Sequence, residues 1–487
     1  MSFTSFEYLI FLAAAVGLYY LLPSKCRSGV LLLTSYLFYG LYNLAVVPFL
    51  ALFTCAVYGT GLLVERRKTK MIVGFGIVLL LLPLLICKYL DFGLDMLIHA
   101  FRFLKDSVFD RQFNLIQPLG ISYFTFKSVG YLVDVYRGTC KAERNLIDLA
   151  AFVSFFPEIL IGPIDRANNL LRQIKTVHPT PAWENIKMGF LMLLGGYFEK
   201  MVVADRLGIL VNTVYSDLYA YEGFVVLAAA VCYSLQIYFD FAGCTYMALG
   251  TGRMLGLSLP ENFRQPYLAV SVEDFWRRWH LSLTSWLRSY VYIPLGGNRK
   301  GTLRKYFNVM VVFLTSGLWH GAGASFIIWG GLNGIFQIAG TMLRPIKSKI
   351  YTFLRMPEDS SLCIWWKRLW TFGWMTIAWV FFRSSGLSQA LLVFKKIFSR
   401  WNPWVLADGT MYKLGLSQRN VYLLIGCLLI MLAVDLLHER KISLTTWVDV
   451  QPYLAKCLIV YVLIFAILIF GIYGSAYNAS DFIYLQF

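Results

Sequence analysis

Charge is scarce in this sequence: Asp, Glu, Lys and Arg make up 15% of its 487 residues, while hydrophobic types make up 58%. A soluble domain carries about 25% charged residues. A chain this poor in charge cannot cover a water-facing surface, so lipid has to solvate most of it. Paired cysteines are missing as well. None of the nine cysteines stands in a CxxC pair, which excludes a zinc ribbon or a disulfide framework. There is no Walker loop, no dinucleotide fingerprint after a strand and no GxSxG nucleophile elbow. His, Cys and carboxylates nowhere take metal-ligand spacing, so neither a metal nor a bound cofactor is expected. Internal repeats are absent too, which removes support for an inverted-repeat transporter.

What is present is a succession of apolar runs, each near the length that crosses a bilayer. Candidate spans lie near 6–22, 28–44, 46–64, 71–90, 115–136, 146–163, 185–212, 222–250, 307–320, 324–343, 367–384, 420–437 and 455–474. Several are short or interrupted by glycine, so roughly 10 to 12 full crossings plus re-entrant pieces are expected. The expected fold is an all-α polytopic membrane protein, one membrane domain with N-terminal spans over 1–114, a core over 115–345 and C-terminal spans over 346–487. The first run, Tyr8 to Leu22, lacks a basic flank and a small-residue cleavage site, and reads as a span rather than a signal peptide.

The net charge of +17 comes from short basic clusters between the runs, among them Arg66, Arg67, Lys68 and Lys70, then Arg299, Lys300, Arg304 and Lys305. That pattern sets topology by the positive-inside rule and does not imply nucleic acid. It puts the N-terminus outside and the turns at Lys25–Arg27, Glu65–Lys70 and Tyr136–Arg144 in the cytoplasm. Residues 92–114 mix Arg102, Lys105, Asp106, Asp110 and Arg111 with Leu and Phe, which suits an interfacial helix. Residues 399–418 suit a loop at headgroup level.

Histidine is the rarest ionisable type, with five in all. An ionisable group at membrane depth is costly and marks function. From Tyr306 to Leu343 no acidic or basic side chain occurs, and His320 is the one imidazole. That stretch is too long for one crossing and must turn. Gly317, Gly321 and Gly323 flank Trp319 and His320, so the break is expected there, inside the membrane thickness. A histidine at such a break can move a proton near neutral pH, or can simply bond a carbonyl.

Residues 271–291 read as one amphipathic helix. It opens on Ser271 with Asp274 in place of the capping-box Glu. Trp276, Trp279, Leu283, Trp286, Leu287 and Tyr290 share a face, and the tryptophans are expected to anchor it at the interface. His280 falls at the edge of that stripe, where it can point inward while Arg277, Arg278 and Arg288 face water or phosphate. Asp240 lies inside the apolar run 222–250 and Glu158 precedes Gly162 and Pro163. Each is expected to be paired or to line a cavity.

Three runs together resemble the membrane-bound O-acyltransferase superfamily. They are Phe155-Phe156-Pro157 through Gly162-Pro163, Glu273-Asp274-Phe275-Trp276-Arg277-Arg278-Trp279-His280, and Ser316-Gly317-Leu318-Trp319-His320-Gly321-Ala322. Gly120-Ile121-Ser122-Tyr123-Phe124, Tyr131 through Tyr136, and Leu259-Pro260-Glu261-Asn262-Phe263 also fit. The tail Asp481 through Phe487 and the run Tyr292 through Arg299 resemble the bacterial branch that contains alginate O-acetyltransferases. Cys244-Thr245-Tyr246 departs from the Tyr-Ser-Asp of many polysaccharide acetyltransferases of that branch.

The resemblance implies a helical ring around a channel that holds the Trp319-His320 pair, with 115–345 as the catalytic core. It implies His320 as the catalytic histidine and His280 as a supporting one. Trp319, Trp279, Asp240 and Asn262 are then expected to bind substrate or line the channel. Acetyl-CoA or another acyl thioester is the expected donor, reaching the site from the cytoplasm. The acceptor is expected to be an extracytoplasmic polysaccharide or relay protein, and the location a bacterial cytoplasmic membrane. D-alanyl transfer to teichoic acid, ion-coupled transport, lipid acylation and a scaffold role remain the alternatives.

Overall fold

The computed structural model describes residues 2–100, 118–176, 183–353 and 355–473, the side chains of 95–100 excepted. Among them there are helices and turns but no strand. The chain folds into two compact units, residues 1–193 with 247–260, and residues 194–246 with 261–487. The core expected over 115–345 is therefore shared between both units.

The first unit holds α1 (Phe6–Leu21), α2 (Arg27–Tyr42), α3 (Val47–Arg67), α4 (Lys70–Ala100), α5 (Ile121–Arg137), α6 (Leu146–Ser154), α7 (Phe156–Ile159), α8 (Arg172–Lys175) and most of α9 (Trp183–Tyr197). The second holds α10 (Asp205–Ser216), most of α11 (Phe224–Met254), α12 (Val272–Trp276), α13 (Leu281–Leu287), α14 (Thr302–His320) and α15 (Ala324–Met342). It continues through α16 (Arg344–Phe353), α17 (Ser361–Arg383), α18 (Leu387–Ser399), α19 (Gln418–Glu439), α20 (Leu444–Asp449) and α21 (Tyr453–Phe470). Side-chain caps start several of these: Ser5, Ser360 and Ser417 each accept a backbone N–H of the first turn. Arg66 and Arg67 close α3, where cations suit the helix dipole.

Five helices among the described residues are long and apolar enough to cross a membrane by themselves, within Leu44–Arg67, Lys70–Leu94, Phe224–Met254, Gln418–Glu439 and Tyr453–Phe470. A sixth arises if α15 and α16, bent by 55°, count as one. The other expected spans are helices that are shorter, broken or less apolar, and α14 and α17, at 19 and 23 residues, have the length but not the apolarity. The chain is thus an all-α protein embedded in the membrane by several passes. The interfacial helix expected over 92–114 is corrected in its first part, because α4 runs on without a break to Ala100. Residues 101–114 and the tail motif 481–487 lie outside the described residues. The loop expected over 399–418 contains only two short 3-10 turns.

In the first unit, Lys127 on α5 meets Glu158 on α7 at 2.5 Å, both buried. Glu158 is therefore held as a structural ion pair. Gly120 precedes α5 with φ +71°, and a Cβ there would lie 1.9 Å from the Ile159 carbonyl oxygen. Only glycine allows α5 and α7 this approach. The small cavity beside the pair has room for about one water and is no substrate site.

In the second unit, residues 198–204 join α9 to α10 as a π-helix. The wider turn inserts a residue into the helical face. Glu199 and Lys200, neighbours in sequence, are both buried as a result. Lys200 Nζ lies 2.5 Å from Asp240 on α11 and 2.7 Å from Asp205.

Candidate active site

α14 and α15 position His320. The break between them falls at Gly321–Gly323, where the glycines led it to be expected, and His320 is the last residue of α14. The two helices cross on bare backbone. A Cβ on Gly317 would lie 2.3 Å from the Phe326 carbonyl oxygen, and one on Gly330 would lie 2.4 Å from that of Phe313. Such small-residue contacts are how helices pack where lipid offers no hydrophobic drive.

His320 is 5% exposed. Its ring centroid lies 4.7 Å from Trp319, 5.1 Å from Trp329 on α15 and 5.2 Å from Phe382 on α17. The second histidine comes in from the other side of the same indole. His280 lies 5.8 Å from Trp319 and 4.7 Å from Phe241 of α11. The structure thus brings His280, Trp319 and His320 together.

The single helix expected over 271–291 is corrected. It is broken into α12, a turn, α13 and a π-helical end at 288–292. The break is at His280, which adopts the left-handed conformation with φ +44°. That geometry costs an L-residue about 1–2 kcal/mol, and such strain gathers at functional positions. Asn262 holds the turn in place. Its backbone carbonyl accepts Leu281 N–H at 3.0 Å. Its Oδ1 accepts Ser282 Oγ–H at 2.6 Å and Ser282 N–H at 3.3 Å, and its Nδ2 donates to Thr245 Oγ1 at 3.4 Å. Asn262 is fully buried, so it acts here as a backbone clamp. Because glycine alone escapes the left-handed penalty, His280→Gly should exceed His280→Ala in thermal stability by about 1 kcal/mol. The usual helical preference has the opposite sign, and paired melting curves in detergent check it.

Both ring nitrogens of His280 are buried with no hydrogen-bond partner among the described residues, and so are the indole nitrogens of Trp276 and Trp329. Each such group costs about 1–3 kcal/mol and calls for an explanation. A polar substrate that brings acceptors and donors to this place supplies one. Burial alone drives the His280 pKa down to about 3, so its imidazole is neutral. It can donate one hydrogen bond and accept another without carrying charge.

The tryptophans of 271–291 do not anchor in the interface. Trp276, Trp279 and Trp286 are 7%, 1% and 7% exposed, buried in protein. A protein interior and a bilayer are equally apolar, so the stripe alone does not tell them apart. Trp279 is a packing centre, at 5.0 Å from both Phe263 and Trp379 and stacked on Phe275 at 5.4 Å. Arg278 is not free for phosphate: it bonds Asp274 at 3.0 Å and Glu439 at 2.6 Å. The Ser271 cap forms, accepting Asp274 N–H, while the Asp274 carboxylate accepts Val270 N–H in place of the capping residue's own.

Asp240 is 2% exposed and faces Lys200, as the expectation of a pair requires. Lys200 itself carried a signal, an ammonium inside the run 185–212, that the sequence reading passed over. Trp329 and Phe382 carried none, since nothing in their local sequence separates them from other core aromatics.

Comparison with known proteins follows the same lines. The family model described as MBOAT, membrane-bound O-acyltransferase family, matches residues 31–386. The chain is 36% identical to a probable alginate O-acetylase of Pseudomonas putida over 419 residues, covering 84% of this chain and 82% of that protein. It is 33% identical to a peptidoglycan O-acetyltransferase of Helicobacter pylori over 394 residues, 75% of this chain and 72% of that protein. A teichoic acid D-alanyltransferase of Bacillus subtilis is 32% identical over 241 residues, 46% of this chain and 59% of that protein.

Proposed function

Because this chain belongs to the membrane-bound O-acyltransferase family, we propose that it moves an acetyl group from a cytoplasmic thioester, acetyl-CoA, to a hydroxyl of an extracytoplasmic polysaccharide or relay protein. The observation that carries this reading is the convergence of two buried histidines on one indole at a helix break. The names of the two O-acetylating relatives support acetyl as the group and a surface polymer as the final acceptor. Their bacterial sources support the cytoplasmic membrane as the location.

In the proposed reaction His320 takes the proton of the acceptor hydroxyl as its oxygen attacks the thioester carbonyl. The new C–O bond forms and the C–S bond breaks. The proton returns from His320 to the leaving sulfur, so ester and thiol are the only products and no net proton is released. His280, neutral, donates its one N–H to the carbonyl oxygen as negative charge develops there. Trp319 holds both imidazoles at fixed spacing. The surrounding rings exclude water, which strengthens each hydrogen bond and protects the thioester from hydrolysis.

The test uses cells lacking the native protein, with and without the wild-type chain. Restored polymer ester that releases acetic acid on mild base supports the proposal. Release of D-alanine selects the teichoic acid reading instead. Ion-coupled flux with no ester selects a transporter and removes the proposal.

A further inference from the structure

The rings around His320 are arranged as walls with no give. Phe382 meets the imidazole at 5.2 Å and is itself held by Trp329 at 5.2 Å, Phe326 at 5.2 Å and Trp379 at 5.4 Å. Trp329 is backed in turn by Trp276 at 5.8 Å and Trp379 at 5.7 Å. Phe382, Trp329 and Trp379 are fully buried. Aromatic pairs in contact have centroids about 4.5–7 Å apart, so no alkyl chain fits between these rings and the imidazole. Each ring has only two side-chain torsions, and each is blocked by neighbours that are rings themselves. A longer acyl chain would have to displace several at once, in an interior packed as densely as a crystal.

We propose that this ring cage, with Phe382 as its decisive wall, is the acyl-length filter of the site: it admits a two-carbon acyl group beside His320 and rejects longer ones. The inference rests on the acyltransfer reading and deepens it, since it assigns donor choice to one side chain. Phe382 lies on α17, well beyond the Trp319-His320 run, and comes to the histidine only through the packing of α15 against α17. Removing its ring leaves an apolar hollow next to the reacting carbonyl. Such hollows stay dry and take up apolar groups of matching size. Each methylene that finds a place there gains apolar burial it cannot have in the wild type.

The experiment measures ester formation on the polymer by membranes containing the full chain, with acetyl-, propionyl- and butyryl-CoA as separate donors. The wild type should fall in rate by about ten-fold or more for each added methylene. Phe382→Ala should raise the butyryl-to-acetyl rate ratio by about ten-fold or more, and Phe382→Leu by less. Phe336→Ala is the control, because it opens space between the same two helices at Trp374, whose ring lies 4.8 Å away, without a ring contact to His320. It should leave the ratio unchanged. A ratio does not depend on how much protein accumulates, so a partly unstable variant still answers. The filter is overturned if both Phe382 variants keep the wild-type ratio, or if Phe336→Ala shifts it equally. It is also overturned if the wild type transfers butyryl as fast as acetyl, which needs no variant at all. Absence of transfer from any donor by the wild type would instead remove the acyltransfer reading beneath it.

Discussion

Replacing His320 by alanine should lower kcat by about 10²–10⁴-fold while the KM for the thioester stays within a few-fold. General-base assistance contributes to the transition state and little to donor binding, so its loss appears in kcat. The same substitution removes a ring that touches Trp319, Trp329 and Phe382, so a packing effect has to be separated from a chemical one. His320→Gln does so. Its amide fills most of the imidazole volume and keeps hydrogen-bonding capacity, yet it cannot take up a proton at neutral pH. If the role is proton transfer, Gln and Ala are equally inactive even where Gln restores the melting temperature. If the role is packing, Gln recovers activity together with stability. Initial rates at saturating donor, with the amount of folded protein fixed by size-exclusion profile, distinguish the two. His280→Ala should cost less, about 10²-fold, because a neutral donor to the carbonyl oxygen is one of several contributions to its stabilisation.

The outline of this site was legible in the sequence where glycine and charge marked it. The break after His320 followed from three glycines in a stretch without charge, and it lies where they stand. The pairing of Asp240 and Glu158 followed from the cost of burying a carboxylate, although their partners Lys200 and Lys127 were not named beforehand. The rest was hidden for identifiable reasons. Apolar periodicity across 271–291 describes a continuous helix, yet the turn at His280 is imposed from outside by Asn262, whose own sequence position shows nothing of the bonds it makes to Leu281 and Ser282. A stripe of tryptophan reads alike whether lipid or protein covers it, which is why burial of Trp276, Trp279 and Trp286 required the fold. The wall at Phe382 depends on a helix far along the chain. Tertiary packing places it, and no local pattern reports that.

Gly330→Ala, one added methyl group, should reduce activity by about 10²-fold. The Cβ would stand 2.4 Å from the carbonyl oxygen of Phe313 and 3.4 Å from the Cα of Gly317. Both obstacles are main chain and cannot rotate away, so α14 and α15 must move apart. Overpacking of this kind costs about 1–3 kcal/mol. The larger consequence is geometric. His320 closes α14 three residues after Gly317, and Trp329 immediately precedes Gly330 on α15. A separation of the helices therefore shifts the imidazole against its own wall, and a displacement of about 1 Å can cost 10²-fold in rate. Gly340→Ala supplies the contrast on the same helix. Among the described residues nothing lies within 4 Å of the Cβ it would add. There the substitution should raise stability by about 0.5–1 kcal/mol, as alanine does in an unobstructed helix, and leave the rate unchanged. Equal effects at the two positions would mean that the crossing tolerates a spacer and that His320 is positioned by something other than this contact. Opposite effects, loss at 330 and gain at 340, would locate the precision of the site in the bare backbone where Gly317 and Gly330 meet.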